Sequence, residues 1–162
     1  MTHLEYLQFS PYFTQADVEN PDQREQFLAS YAEAPQSIKD FLVAEETSEQ
    51  IQSLAQRFNL DEEETEGVAL TVRKIALAEI NLQNAESLLL AETNQEGDML
   101  RQILRAILTE VLASVIEDVK NLYRARPIQQ PATNPNQPKK ISPAGIESVT
   151  SDNVIDLRNI GN

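Results

Sequence analysis

The side chains best equipped for chemistry in this chain are its carboxylates, and their densest run is Asp61, Glu62, Glu63, Glu64 and Glu66. Glu45, Glu46 and Glu49 extend the same region, so residues 45–66 hold eight acids against one base, Arg57. Clustered carboxylates first suggest calcium. A calcium-binding helix–loop–helix needs glycine at the sixth loop position and a bidentate glutamate at the twelfth, and counted from Asp61 these positions are Glu66 and Val72. The spacing fails. The run reads instead as the solvated start of a helix, capped by Asp61, with glutamates in the first turn where the macrodipole favours negative charge. If the domain has an electrostatic docking surface, these eight acids are its candidates.

Other chemistries are ruled out by what the chain lacks. There is no cysteine, which removes disulfides, thiolate metal sites and cysteine nucleophiles. The one histidine, His3, lies beside the N-terminus and leaves no imidazole pair for zinc and no buried base. A di-iron bundle needs glutamate followed three residues later by histidine, twice, and that pattern is missing. Gly67, Gly97, Gly145 and Gly161 are isolated and form no phosphate-cradling loop, and no serine sits in a nucleophile elbow. Pairs such as Glu117 and Asp118, or Glu62 and Glu66, resemble ordinary surface acids. No catalytic, cofactor-binding or metal-binding residue is assigned, and an enzyme is not expected.

The elements that position these groups are helical. Asp98 to Arg126 carries Leu100, Ile103, Leu104, Ile107, Leu108, Val111, Leu112, Val115, Ile116, Val119, Leu122 and Tyr123 at three-and-four spacing, without proline or glycine after Gly97. It predicts one uninterrupted helix roughly 40 Å long. Its apolar arc of roughly 200° must be covered from more than one side, by the preceding helices or in part by a second copy or partner. Upstream, Asn20 and Pro21 start a helix to about Ala34, Ser37 to Glu45 forms a shorter one, and Thr47 with Gln50 suggests a capping box opening a helix through Phe58. Asp61 opens a further helix to about Ile80, and residues 82–91 form the next. Residues 1–19 form an arm holding four of the nine aromatics, Tyr6, Phe9, Tyr12 and Phe13, which either pin the arm to the domain or insert into a partner.

A chain of 162 residues with 41% hydrophobic content fits one domain with an appendage. The net charge of −13 resides entirely in residues 1–126, where 23 acids face 10 bases. Such a domain repels phosphate backbones and anionic lipid, so direct nucleic-acid binding is not expected and a basic protein partner is compatible. Acid conferring solubility is the plainer explanation. The start, MTHLEYLQF, lacks the basic-then-apolar pattern of a secretory signal, and residues 103–119 are broken by Arg105, Glu110, Glu117 and Asp118, so no membrane span is expected and the cytoplasm is the expected location.

From Pro127 the composition shifts. Residues 127–145 contain five of the eight prolines and read as an extended, disordered linker. Residues 146–162 regain apolar character, and Val154, Ile155, Asp156, Leu157, Arg158 and Ile160 form a candidate docking peptide for a partner groove or sheet edge. Folding back onto the chain's own helices is the alternative.

The run from Ile38 to Leu89 resembles a loosely defined family of small, acidic, uncharacterised helical proteins of reduced-genome bacteria. The likeness lies in the order of features: a short helix with Phe41 and Leu42, a helix ending at Phe58, Asn59 and Leu60, an acidic cap, a longer helix, and a Pro-rich linker closing in a motif similar to Asn153 to Asn159, NVIDLRN. The resemblance implies a helical layout and carries no function and no site residue. The tethered terminal peptide is also similar in arrangement to bacterial division and replication proteins that dock by their last residues, without matching their motifs.

The expectation is therefore an all-α bundle of five to seven helices over residues 20–126, with a long hydrophobic final helix and a disordered Pro-rich C-terminal tail. Its expected function is that of a non-enzymatic adaptor or assembly factor that binds protein partners and needs no cofactor. One alternative is an acidic inhibitor or nucleic-acid mimic that occupies a basic protein. Another is a structural subunit that self-associates into a homo-oligomer.

Overall fold

The chain divides into two units, Met1–Ile128 and Gln129–Asn162, and the structure, a computed structural model, describes residues 3–126. The linker expected at 127–145 and the docking peptide expected at 146–162, including Val154 to Ile160, lie outside the described residues. Within 3–126 the elements are α-helices and one π-helical turn. Among the described residues no helix is long and apolar enough to cross a membrane.

Two five-residue helices come first, α1 (His3–Leu7) and α2 (Gln15–Glu19). No helix was expected over residues 15–19. Helix α2 is held by Asp17, whose Oδ2 accepts from both the backbone N–H and the hydroxyl of Thr14, at 2.8 and 2.9 Å. Helix α3 (Pro21–Glu33) starts as the sequence indicates: Asn20 Oδ1 accepts from the N–H groups of Asp22 and Gln23, and Pro21 spends no hydrogen bond at the first position.

Helix α4 (Gln36–Val43) follows Pro35, and α5 (Glu45–Phe58) begins two residues before Thr47. Thr47 therefore does not cap α5. It is buried inside the first turn, and its hydroxyl lies 2.8 Å from the Ala44 carbonyl and 3.0 Å from that of Phe41. Helix α5 ends at Asn59 in the left-handed region (φ 53°), a conformation asparagine tolerates.

Asp61 and Glu64 form the capping box of α6 (Glu62–Ala76), with reciprocal bonds of 2.9 and 3.0 Å. After α6 come α7 (Leu82–Thr93), capped by Asn81, and α8 (Gly97–Ala106). The π-helical turn (Ile107–Val111) continues α8, and α9 (Ile116–Ala125) closes the described chain.

The single long helix expected from Asp98 to Arg126 is thus broken. Leu112 N–H donates to the Ile107 carbonyl at 2.9 Å, one residue further back than an α-helix reaches, and Val115 N–H then closes a tight turn on Leu112 O at 3.0 Å. The Thr109 hydroxyl donates to the Arg105 carbonyl at 2.9 Å, where a side chain competes with the backbone ladder. The wide apolar arc of the sequence belongs to two helical faces. One buries Leu100, Ile103, Ala106, Ile107 and Val111, and the other buries Val119 and Leu122.

The helix that the others surround is α6. Every residue from Gly67 to Arg73 is buried, as are Ile75 and Ala76, and α5, α7 and α9 all pack against it. Gly67 makes the approach of α7 feasible, since a Cβ at this position would collide with that of Glu92. The arm joins the same core. Leu7 and Tyr12 are fully buried, Tyr12 stacks at 5.8 Å on Phe41, Phe13 meets Phe27 at 6.3 Å, and Ser10 Oγ donates to Leu42 O at 2.7 Å. Tyr6 and Phe9 point the other way, 50% and 78% exposed.

Beneath the arm lies a charged pair. Arg73 Nη1 donates to Asp17 Oδ2 at 2.5 Å and to the Tyr12 carbonyl at 2.9 Å, while the guanidinium stacks 4.0 Å from the centre of the Phe27 ring. Gln23 Nε2 donates to the other oxygen of Asp17 at 3.1 Å. Burial alone raises the Asp17 carboxyl, but the hydrogen bonds from Arg73 and Thr14 and the arginine charge outweigh it and hold the group below its ordinary range.

Candidate interaction surfaces

The eight acids do not form one patch. Glu45, Glu46 and Glu49 sit in the first turns of α5, whereas Asp61, Glu62 and Glu63 begin α6 beyond its far end, roughly 20 Å away along a 14-residue helix. These six are exposed. The remaining two are half-buried and engaged: Glu64 completes the capping box and accepts from Gln95 Nε2 at 2.8 Å, and Glu66 Oε1 accepts the Gln15 N–H at 2.5 Å.

A different acidic grouping emerges, which chain order did not suggest. Glu63 and Glu66 of α6, Glu19 of α2 and Glu92 of α7 line one hollow of about 410 Å³. Gly67 lines it as well, so the glycine that draws α7 close also brings Glu92 to the other three. No group of three or more histidines, aspartates and glutamates among the described residues is arranged to hold a metal ion.

The second surface is apolar. Where the chain breaks between the π turn and α9, Leu108, Ile116, Val119 and Tyr123 combine with Ile75 and Leu82 to line a trough of about 420 Å³. Leu82 is 51% exposed there. The charged residues lining the trough, Lys120 and Arg124, are both cations, against the sign of the chain as a whole. Lys120 Nζ donates to Glu117 at 2.6 Å, and Arg124 Nη1 donates to the neutral Asn121 amide oxygen at 3.2 Å. The Tyr123 hydroxyl donates to the Ile80 carbonyl, which fixes α9 to the loop before α7. Burial pushes the Tyr123 phenol up to about 12.

The sequence left two covers open for this segment's apolar face, the chain's own preceding helices or a second copy or partner. Sequence reasoning missed the trough itself, because the break after Leu112 carries neither proline nor glycine. No protein-family model matches the chain, no curated protein matches it, and no solved structure matches it.

Proposed function

We propose that this chain is a non-enzymatic, cytoplasmic adaptor or assembly factor that docks a protein partner in the trough on α9. The observation that carries the reading is the trough's composition: aliphatic and aromatic walls with cations alone as its charged lining, in a strongly acidic chain. The matching partner segment is apolar with at least one carboxylate, so its side chains fill the trough while the acid meets Arg124. In this reading Val154 to Ile160 engage a second protein, and the linker holds it at an effective concentration of roughly millimolar.

The test is affinity capture from native lysate with the full chain, the Leu82→Lys/Arg124→Glu variant and a version ending at Arg126, compared side by side. One protein lost with the trough variant and another lost only on truncation supports the two-contact adaptor. Identical retention by all three rejects it.

The hollow lined by Glu19, Glu63, Glu66 and Glu92 favours a second reading, an acidic inhibitor or mimic that accepts basic side chains. Salt separates the two. Capture through the acidic hollow weakens steeply as ionic strength rises, whereas capture through the trough, apolar apart from one ion pair at Arg124, weakens far less.

A further inference from the structure

A cleft of about 590 Å³ lies between the C-terminal end of α5 and the face of α8 that continues into the π turn, and it shares no lining residue with the α9 trough. Its size falls within the range of small-molecule sites. Arg57 and Phe58 come from α5, and Met99, Arg105, Ala106 and Glu110 are among the residues from the other wall. The domain as a whole holds more than two acids per base, yet this cleft has two arginines against one glutamate.

The three charges are not equivalent. Arg57 Nη1 and Nη2 donate to the two oxygens of Glu110 at 2.9 and 2.6 Å, and the guanidinium lies 5.4 Å from the Phe58 ring centre. Both members of this pair are about half exposed, at 47% and 50%. Glu110 belongs to the π turn, whose extra residue changes the direction of every side chain beyond it. Arg105 lines the same cleft and makes no ion pair among the described residues. Met99 is 42% exposed and supplies a conformable apolar wall.

We infer that this cleft binds a small amphiphilic anion, a carboxylate carried on a flat apolar body. The carboxylate is held by Arg105 and competes with Glu110 for Arg57, and the apolar body lies against Met99 and Phe58. A solvent-exposed pair such as Arg57–Glu110 is weak enough to be exchanged, and its bidentate geometry is the geometry any carboxylate adopts on arginine. In the free protein Glu110 therefore holds the place of the ligand's own acid.

The chain provides its own reporter, because Met99 is one of only two methionines. The full chain, labelled with ¹³C at the methionine methyls and with Met99 assigned through Met99→Leu, is titrated with 2-naphthoate and separately with 2-naphthylmethylammonium. The Met99 methyl is expected to shift with the anion and not with the cation of the same shape. Arg105→Gln is expected to weaken 2-naphthoate by about tenfold, the loss of one charge-assisted contact. Glu110→Gln is expected to tighten it by about threefold by removing the competitor. Arg101→Gln, on the same helix but outside the cleft, leaves binding unchanged. The inference is overturned by equal response to both probes, by an unmoved Met99 methyl at millimolar naphthoate, or by Arg105→Gln binding as tightly as the parent.

Discussion

Asp17 and Arg73 stand 56 positions apart in sequence and meet at 2.5 Å with both side chains buried, 0% and 1% exposed. The pair welds a five-residue helix of the arm to the central helix, and each charge depends on the other. Removing one partner from a buried pair costs about 3–5 kcal/mol, because the remaining charge is stranded in the core. Asp17→Leu and Arg73→Met are each expected to lose that much in urea unfolding. The double variant is expected to lose clearly less than the sum, since neither charge then remains buried alone. Additive losses in the cycle contradict a direct coupling.

The same pair sets the acid limit of the fold. The folded-state pKa of Asp17 lies below that of the unfolded chain, so its stabilisation is fully present above the ordinary carboxylate range and is lost as pH falls through the folded value. Stability measured between about pH 5 and pH 2 is expected to fall for the parent and to fall less steeply for Asp17→Asn.

At the alkaline end the sign reverses. Burial pushes the Tyr12 phenol up, and that of Tyr123 to about 12, so both contribute stability below the unfolded value near 10 and lose it as pH rises towards their folded values. Absorbance titration is expected to show these two tyrosines ionising late, together with loss of the helical circular dichroism signal.

Gly67→Ala tests the contact between α6 and α7. Alanine gains about 1 kcal/mol of helix propensity over glycine. Its methyl must displace the Cβ of Glu92, which is anchored to the α7 backbone, and overpacking of that kind costs about 1–3 kcal/mol. A net loss of about 1 kcal/mol is expected in thermal unfolding. A net gain shows that α7 moves away freely.

The four aromatics of the arm separate into two pairs. Tyr12→Ala is expected to cost about 3–5 kcal/mol, as for any large buried aromatic. Tyr6→Ser combined with Phe9→Ser is expected to change stability by less than about 0.5 kcal/mol per site. If the double variant keeps its stability and loses a captured protein, the exposed pair belongs to a binding surface.

What was legible in the sequence was local. Asn20 with Pro21, and Asp61 with Glu64, announce their helices because the cap and the amides it satisfies lie within four residues of each other. The all-helical character followed from the same short-range spacing. The role of Arg73 was illegible for the opposite reason: within α6 it looks like an ordinary last-turn cation, and its partners Asp17, Tyr12 and Phe27 lie in other elements.

The break in the Asp98–Arg126 segment was hidden because a π turn needs no special residue; Thr109 is its one local hint. The acidic run misled in a third way. Residues close in sequence were separated by the length of α5, and the acids that do converge come from α2, α6 and α7.

The chain order of the Asp17–Arg73 pair has a consequence in time. On the ribosome Asp17 is made before its partner, since the arginine that completes its core contact is 56 residues behind. At about 5–20 residues per second, Tyr12 and Phe13 wait several seconds before Arg73 has even been added, and longer before it leaves the tunnel. During that interval Tyr12 and Phe13 stay without the core contacts they have in the folded chain, and Asp17 stays without its cation.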